Sequence, residues 1–224
     1  FAEAVKVPAL CAWKNPSDMP TEVAAIQEPF GNAVYSCETA EVRSKSVVIF
    51  GDGPIASFAT GIAKAWGARE VVVVGLNTAR LGIAEKMGAD RTLDARDGEV
   101  VERLRDHTDG EGFEVVLEMA GVEIAIQQGL SALAKGGTFV AFGIPSGNVS
   151  IDYTDALVFK EAKVLGVNGR RMFSTWYQTQ TLLMTGQVDV GPVLTHSFGL
   201  GEFERAFGLL EDPASEAGKV ILKP

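Results

Sequence analysis

The sequence predicts an α/β fold in which a doubly wound, mostly parallel sheet carries helices on both faces. Three observations point to it. From Ser46 onward, short apolar runs alternate strictly with amphipathic stretches. Two of the runs, Ser46-Val-Val-Ile-Phe50 and Glu70-Val-Val-Val-Val74, are continuous and close at glycine, as strands buried on both faces do. The stretches between runs are long enough to hold a helix, which demands parallel pairing with right-handed crossovers.

Each element follows from its own stretch of sequence. Residues 1–40 are expected to hold a short strand at 4–7, a polar turn at Asn15-Pro16-Ser17-Asp18 and two short helical stretches. Phe1 opens the sequence without an initiator methionine and reads like the middle of a strand, so a preceding segment is expected in the intact protein. After the strand ending at Phe50, residues 54–66 place Ile55, Phe58, Ala59, Ile62 and Trp66 at helical spacing. The second buried strand follows, then a helix over 80–87 ended by Gly88 and a short strand over 91–94. An amphipathic helix over 99–106 leads to a strand over 113–118. A helix over 123–133 should stop near Gly136-Gly137, ahead of strands over 138–142 and 163–167. The tail breaks the alternation: a helix over 174–184, an extended stretch over 192–198, a helix over 202–210 and a closing strand over 219–222.

Composition narrows the function classes. The 224 residues carry a formal net charge of −9, and 46% hydrophobic with 22% charged residues is ordinary for a folded enzyme. A protein tracking nucleic-acid phosphates needs a basic face, so no nucleic-acid partner is expected. No run of about 18 apolar residues occurs, so no membrane span is expected either. Cys11 and Cys37 make neither a disulfide framework nor a cysteine-rich zinc site. Two free thiols suit a reducing compartment, and a cytoplasmic location is expected.

The motif that carries chemistry is Gly51-Asp52-Gly53-Pro54-Ile55-Ala56, directly after the first buried strand and opening the first helix. It matches G-x-G-x-x-G/A in the strand–turn–helix context that pattern requires for a dinucleotide. Gly51 permits the tight turn, Gly53 lets backbone approach a pyrophosphate, and Ala56 lets helix and strand pack closely. The helix N-terminus offers unpaired N–H groups, and Pro54 suits a first turn where its missing donor costs nothing. Asp52 would repel a pyrophosphate, so its side chain is expected to point away. Sheets that bind NAD place Asp or Glu at the end of the second strand, for the ribose 2′-hydroxyl. That position here is Gly75, 24 residues after Gly51. Two readings stay open: Arg80 grips a 2′-phosphate, or Arg80 stacks on adenine or caps the surface while Asn77 serves the ribose.

Further segments carry a family resemblance. They include Phe1-Ala2-Glu3, Val7-Pro8-Ala9, Ala12-Trp13-Lys14 and Gln27-Glu28-Pro29-Phe30-Gly31-Asn32-Ala33-Val34. Later come Leu117-Glu118-Met119-Ala120-Gly121, Gly169-Arg170, Met172-Phe173, Thr175-Trp176-Tyr177, Thr195-His196 and Gly218-Lys219-Val220. On these residues the chain resembles the zinc-dependent medium-chain alcohol dehydrogenases, most closely their L-threonine 3-dehydrogenase branch. The resemblance implies a Rossmann sheet over 41–180, a remnant of a GroES-like catalytic domain over 1–40, and a return to that domain over 181–224. It implies NAD or NADP as cofactor and a small alcohol or amino acid as substrate. It also implies a dimer or tetramer in which the strand over 162–167 pairs with its counterpart. By the same resemblance Ile55 packs on the cofactor and Arg80 reaches its adenosine side. Phe142, Gly143 and Ile144 line the nicotinamide half, and Val167 and Asn168 meet the carboxamide through backbone.

Catalytic residues are not expected in this chain. The family's zinc ligands lie in an N-terminal third that has no counterpart here, and zinc is expected only in the intact protein. Glu28 alone matches a position able to lend a carboxylate, and one carboxylate makes no zinc site. His107 and His196 read as structural, and Glu118, Asp152 and Glu161 receive no role. The leading expectation is therefore the cofactor-binding portion of a hydride-transferring oxidoreductase acting on an L-threonine-like secondary alcohol, inactive alone. The alternatives are a polyol or secondary-alcohol dehydrogenase, a non-catalytic nicotinamide-dinucleotide-binding module and, least supported, a methyltransferase.

Overall fold

The computed structural model of the chain describes residues 1–212 and 214–224. An irregular N-terminal segment leads into helices α1 (Thr21–Ala25) and α2 (Gln27–Ala40). The alternating region then runs β1 (Ser46–Phe50), α3 (Pro54–Ala65), β2 (Glu70–Gly75), α4 (Thr78–Lys86), β3 (Arg91–Asp94) and α5 (Val100–His107). It continues with β4 (Phe113–Glu118), α6 (Glu123–Ala132), β5 (Leu133–Ala141) and β6 (Lys163–Gly166). The tail is α7 (Ser174–Met184), β7 (Leu194–Gly199), α8 (Phe203–Glu211) and β8 (Lys219–Lys223).

Strands β1 to β6 form one parallel sheet in the order β3-β2-β1-β4-β5-β6, and β7 pairs with β8 in a separate parallel ribbon. This is the doubly wound sheet expected, with its winding reversed between β1 and β4. The continuous apolar runs are explained by their alternation. Val47, Ile49, Val71, Val73, Val115 and Leu117 point into a core shared with α2, α3 and α4. Their neighbours Val48, Phe50, Val72, Val74 and Val116 point into a second core under α5 and α6. Side chains alternate across a strand, so a strand covered on both faces must be apolar at every position.

Three local expectations are corrected. Residues 4–7 form no strand: Val5 and Val7 are exposed, and the segment has no ladder partner among the described residues. A lone strand has no stability of its own. Of the two helical stretches, only α1 is short. The fourteen-residue α2 buries Phe30, Ala33, Val34, Cys37 and Ala40 in the same core as α3. Finally, α6 ends at Ala132 and the chain enters β5 at once, opposite Phe113, then bulges before Thr138 pairs with Val115. Gly136 lies in that bulge at φ +71°. The unpaired carbonyls at the end of α6 are met by Lys160, whose Nζ donates to the oxygens of Leu130, Ser131 and Leu133 at 2.6, 2.8 and 2.7 Å. The last carbonyls of a helix have no intrahelical donor, and a cation suits them. Among the described residues no helix is long and apolar enough to cross a membrane.

Candidate functional site

Where the sheet reverses its winding, the loops after β1 and β4 diverge and leave a crevice at the C-terminal edge, the place where open α/β sheets bind ligands. A cleft of about 840 Å³ lies there. The glycine turn, the end of β2, the start of α4, Ala95 and Arg96 beyond β3, the loop after β4, and Ala214 and Glu216 from the tail line it. Such a volume falls in the range of roughly 300–1,000 Å³ usual for small-molecule sites.

The glycine turn is held from both sides. Gly51 N–H donates to the Val74 oxygen at 2.8 Å, and Met119 N–H donates to the Phe50 oxygen at 2.8 Å. Gly51 sits at φ +122°, and a Cβ there would lie 3.1 Å from the Met119 carbonyl carbon, so this glycine serves the fold. Gly53 differs. Its backbone is ordinary, at φ −72° and ψ 171°, and a Cβ would meet no atom within 4 Å. Nothing among the described residues requires glycine there, whereas a ligand pressed against the backbone would. Pro54 occupies the first turn of α3, and the amides of Ile55 and Ala56 have no intrahelical acceptor. A bare glycine cradle beside a helix N-terminus fits the pyrophosphate of a dinucleotide.

The carboxylate of Asp52 turns to the end of β2. Its Oδ2 accepts from the amides of Leu76 and Asn77 at 2.7 and 2.8 Å, and its Oδ1 lies 3.9 Å from Arg80 Nη1. Gly75 is packed beneath it. Asn77 caps α4 by accepting from Arg80 N–H at 3.1 Å, and its amide nitrogen donates to the Ser215 oxygen at 3.0 Å. Arg80 lines the cleft, with its Nε donating to the Ala217 oxygen at 3.1 Å.

Gly51, Gly53, Gly75, Asn77 and Arg80 thus line one cleft; Pro54 and Ile55 open α3 beside it, and Phe142, Gly143, Ile144, Val167 and Asn168 follow the C-terminal ends of β5 and β6 in the same sheet. Ile55 and Phe142 are partly buried against the core, Val167 is buried, and Asn168 and Ile144 are exposed. Gly143 is dictated by packing: a Cβ there would lie 2.2 Å from the Gly121 nitrogen. The loops after β4 and β5 therefore touch backbone to backbone.

Several lining residues were given no cofactor role from the sequence, although Met119 and Ala120 lie in a segment that carries the resemblance. Met119, Ala120 and Val122 enter the cleft from the loop after β4, Ile124, Ala125 and Gln128 from α6, and Arg96 from beyond β3. The adjacency of β1 and β4 would have found the first group. Glu118, given no role above, is fully buried at the end of β4, where its Oε1 accepts from the amides of Ala120 and Gly121 at 2.9 and 2.7 Å. Burial outweighs those bonds and raises its pKa above the usual carboxylate value. Its Oε2 is buried without a partner.

Glu28 stands apart, in a smaller cleft of about 210 Å³ with Cys11, Trp13, Asn15 and Arg170. Its Oε1 accepts from Asn32 at 3.1 Å. Among the described residues no three His, Cys, Asp or Glu side chains gather as a metal site would require, so the residues present do not fit zinc. His107 pairs with Glu70 at 2.5 Å, and His196 stacks on Phe198 beside Thr195. Asp152 caps the turn at Thr154 and Asp155, and Glu161 is exposed. Each has a structural setting.

Comparisons with known proteins bear on the family and the fold. The model of a family described as zinc-binding dehydrogenase matches residues 54–185. An L-threonine 3-dehydrogenase of Bacillus velezensis is 44% identical over 225 residues, covering all of this chain and 64% of the relative. The chain thus spans a little under two thirds of such curated relatives. Among solved structures, galactitol-1-phosphate dehydrogenase from Escherichia coli superposes with a TM-score of 0.89 at 23% identity, covering 100% of this chain and 66% of that one. A zinc-binding dehydrogenase from Sinorhizobium meliloti, solved bound to NADP, gives 0.85 at 25% identity, covering 95% and 62%.

Proposed function

The chain belongs to the zinc-binding dehydrogenase family, and from that premise we propose that it is the cofactor-binding portion of an oxidoreductase passing a hydride from a small secondary alcohol to NAD or NADP. One observation carries the reading: Gly53 has ordinary backbone angles and open space where a side chain would stand, beside a helix N-terminus, in the cleft where the sheet reverses.

When bound, the nicotinamide ring supplies the hydride acceptor. The chain's own residues bind and orient it. Gly51 to Ala56 seat the pyrophosphate, the end of β2 with Asn77 and Arg80 receives the adenosine half, and the loops at Phe142–Ile144 and Val167–Asn168 guide the nicotinamide half. Exposed Leu76, Val122 and Ile124 give the cleft an apolar rim suited to a planar base.

An L-threonine-like alcohol is the proposed substrate, supported by the name of the 44% identical relative. We further propose a homo-oligomer in a reducing, cytoplasmic setting. The sheet ends at β6, an exposed edge with Val164 and Leu165 open to solvent, and such an edge invites a partner strand. The direct test is a fluorescence titration with NADH and with NADPH, both competed by the oxidised forms. Enhancement that saturates below about 1 mM is expected. No binding of either at that level would overturn the reading.

A further inference from the structure

Gly75 ends β2 at the position where dinucleotide-binding sheets carry an acid for the ribose hydroxyls. That place is filled from another part of the chain. A Cβ on Gly75 would lie 2.6 Å from the Asp52 Cβ and 2.7 Å from its Oδ2. The side chain of Asp52 therefore occupies the very volume that a side chain at residue 75 would need. We infer that Asp52, reaching across from the glycine turn, serves as the strand-end carboxylate that Gly75 lacks and selects a dinucleotide whose adenosine ribose keeps a free 2′-hydroxyl. The inference rests on the dinucleotide reading proposed above.

The carboxylate is fixed and has capacity to spare. Its Oδ2 is held by the amides of Leu76 and Asn77, and its side chain is 14% exposed at the cleft wall. Among the described residues Oδ1 accepts no hydrogen bond, and its nearest cation is Arg80 Nη1 at 3.9 Å. An ionised carboxylate only accepts, so the groups that suit Oδ1 are donors such as ribose hydroxyls. A 2′-phosphate would instead bring a further charge of about −1.5 to −2 against it.

The other candidates for this half of the ligand are engaged. Asn77 spends its side-chain oxygen on the Arg80 amide and its nitrogen on Ser215. Arg96 is locked onto Asp94 through Nε at 2.9 Å and Nη2 at 2.5 Å, and Nη2 also reaches Thr78 at 3.0 Å. Arg80 binds Ala217 through Nε and stands beside Asp52, which offsets its charge. No arginine here stands clear of a carboxylate to grip a phosphate, which is what selection of the 2′-phosphorylated form requires.

The test is binding, not turnover. The full-length protein is titrated separately with NADH and NADPH, following nicotinamide fluorescence. NADH is expected to bind at least about tenfold tighter. Asp52→Asn keeps a side-chain oxygen for the Leu76 and Asn77 amides and removes the charge; the preference should shrink about fivefold or more, chiefly because NADPH gains. Asp52→Gly vacates the volume, Cβ included, so adding Gly75→Asp in that background should restore the NADH preference. Equal or tighter binding of NADPH by the unsubstituted protein overturns the inference. So does an Asp52→Asn protein that loses both ligands alike at an unchanged ratio, which marks Asp52 as a loop brace only. Failure to bind either dinucleotide removes the site itself, a result distinguishable from a wrong preference.

Discussion

The carboxylate of Glu118 folds back onto its own strand end, where its Oε1 accepts from the amide of Gly121 at 2.7 Å. Its Oε2, wedged where a Cβ on Gly143 would fall, has no partner. Burial raises its pKa, so between the ordinary carboxylate value and the raised one the folded chain holds a proton that the unfolded chain has lost. Stability from this group therefore falls as pH rises through that window, and is greatest below it. Glu118→Gln cannot ionise. Its stability relative to the unsubstituted protein should improve as pH rises from about 4.5 and level off once the folded carboxyl has ionised, measured by urea midpoints at a series of pH values. A pH-independent difference would count against the buried, proton-holding carboxylate.

The two glycines of the turn should separate fold from binding. Gly51→Ala must place a side chain at φ +122° against the Met119 backbone, so a loss of about 1–3 kcal/mol in unfolding free energy is expected. Gly53→Ala meets no protein atom and has an ordinary φ. Its melting temperature should stay within about 2 °C, while the NADH dissociation constant rises about tenfold or more, near 1.4 kcal/mol. Calorimetry with and without ligand reads both.

Lys160 holds three carbonyls at the junction of α6 and β5. Lys160→Met keeps the apolar stem and removes all three hydrogen bonds. A destabilisation of about 1–3 kcal/mol is expected from denaturant midpoints, since partly buried acceptors are then left unpaired.

The cysteines should react at different rates. Cys37 is buried, its pKa pushed upward by desolvation, and its Sγ lies 3.6 Å from the Ala59 oxygen; Cys11 is exposed. A thiol-disulfide reagent should titrate Cys11 in the native state and Cys37 only on unfolding. Fast reaction of both in native buffer would contradict the packing of α2.

If β6 is the edge used for assembly, Val164→Lys with Leu165→Glu should lower the molar mass by light scattering to that of a monomer. An unsubstituted protein that is already monomeric at working concentration would refute the proposed assembly.

How much of this was legible in sequence depends on how far each signal reaches along the chain. The bounds of β1 and β4 coincide with the residues read for them, because burial on both faces keeps nearly every position apolar, and those of the edge strand β3 coincide although only Leu93 of it is buried. The glycine turn was legible for a similar reason: Gly51, Gly53 and Ala56 all fall within six residues of the strand end at Phe50. The partner of Asp52 was not. The sequence suggested only that its charge had to face away from phosphate, and the amides that accept the task lie 24 and 25 residues later. Glu118 was equally opaque, since an acid closing an apolar strand looks the same whether it faces water or folds back on itself. Residues 4–7 had strand texture, but a strand is a property of two segments, and texture describes one.

Helix α2 roots Glu28 in the same packing that carries the glycine turn. Phe30, two residues on from Glu28, meets Phe58 of α3 with ring centroids 5.4 Å apart, and Cys37 touches Ala59 on that same helix. The spacing between that carboxylate and the turn is therefore a constant of the molecule. Any hinge motion that opens or shuts the cleft must carry both as a single lever, with its pivot elsewhere.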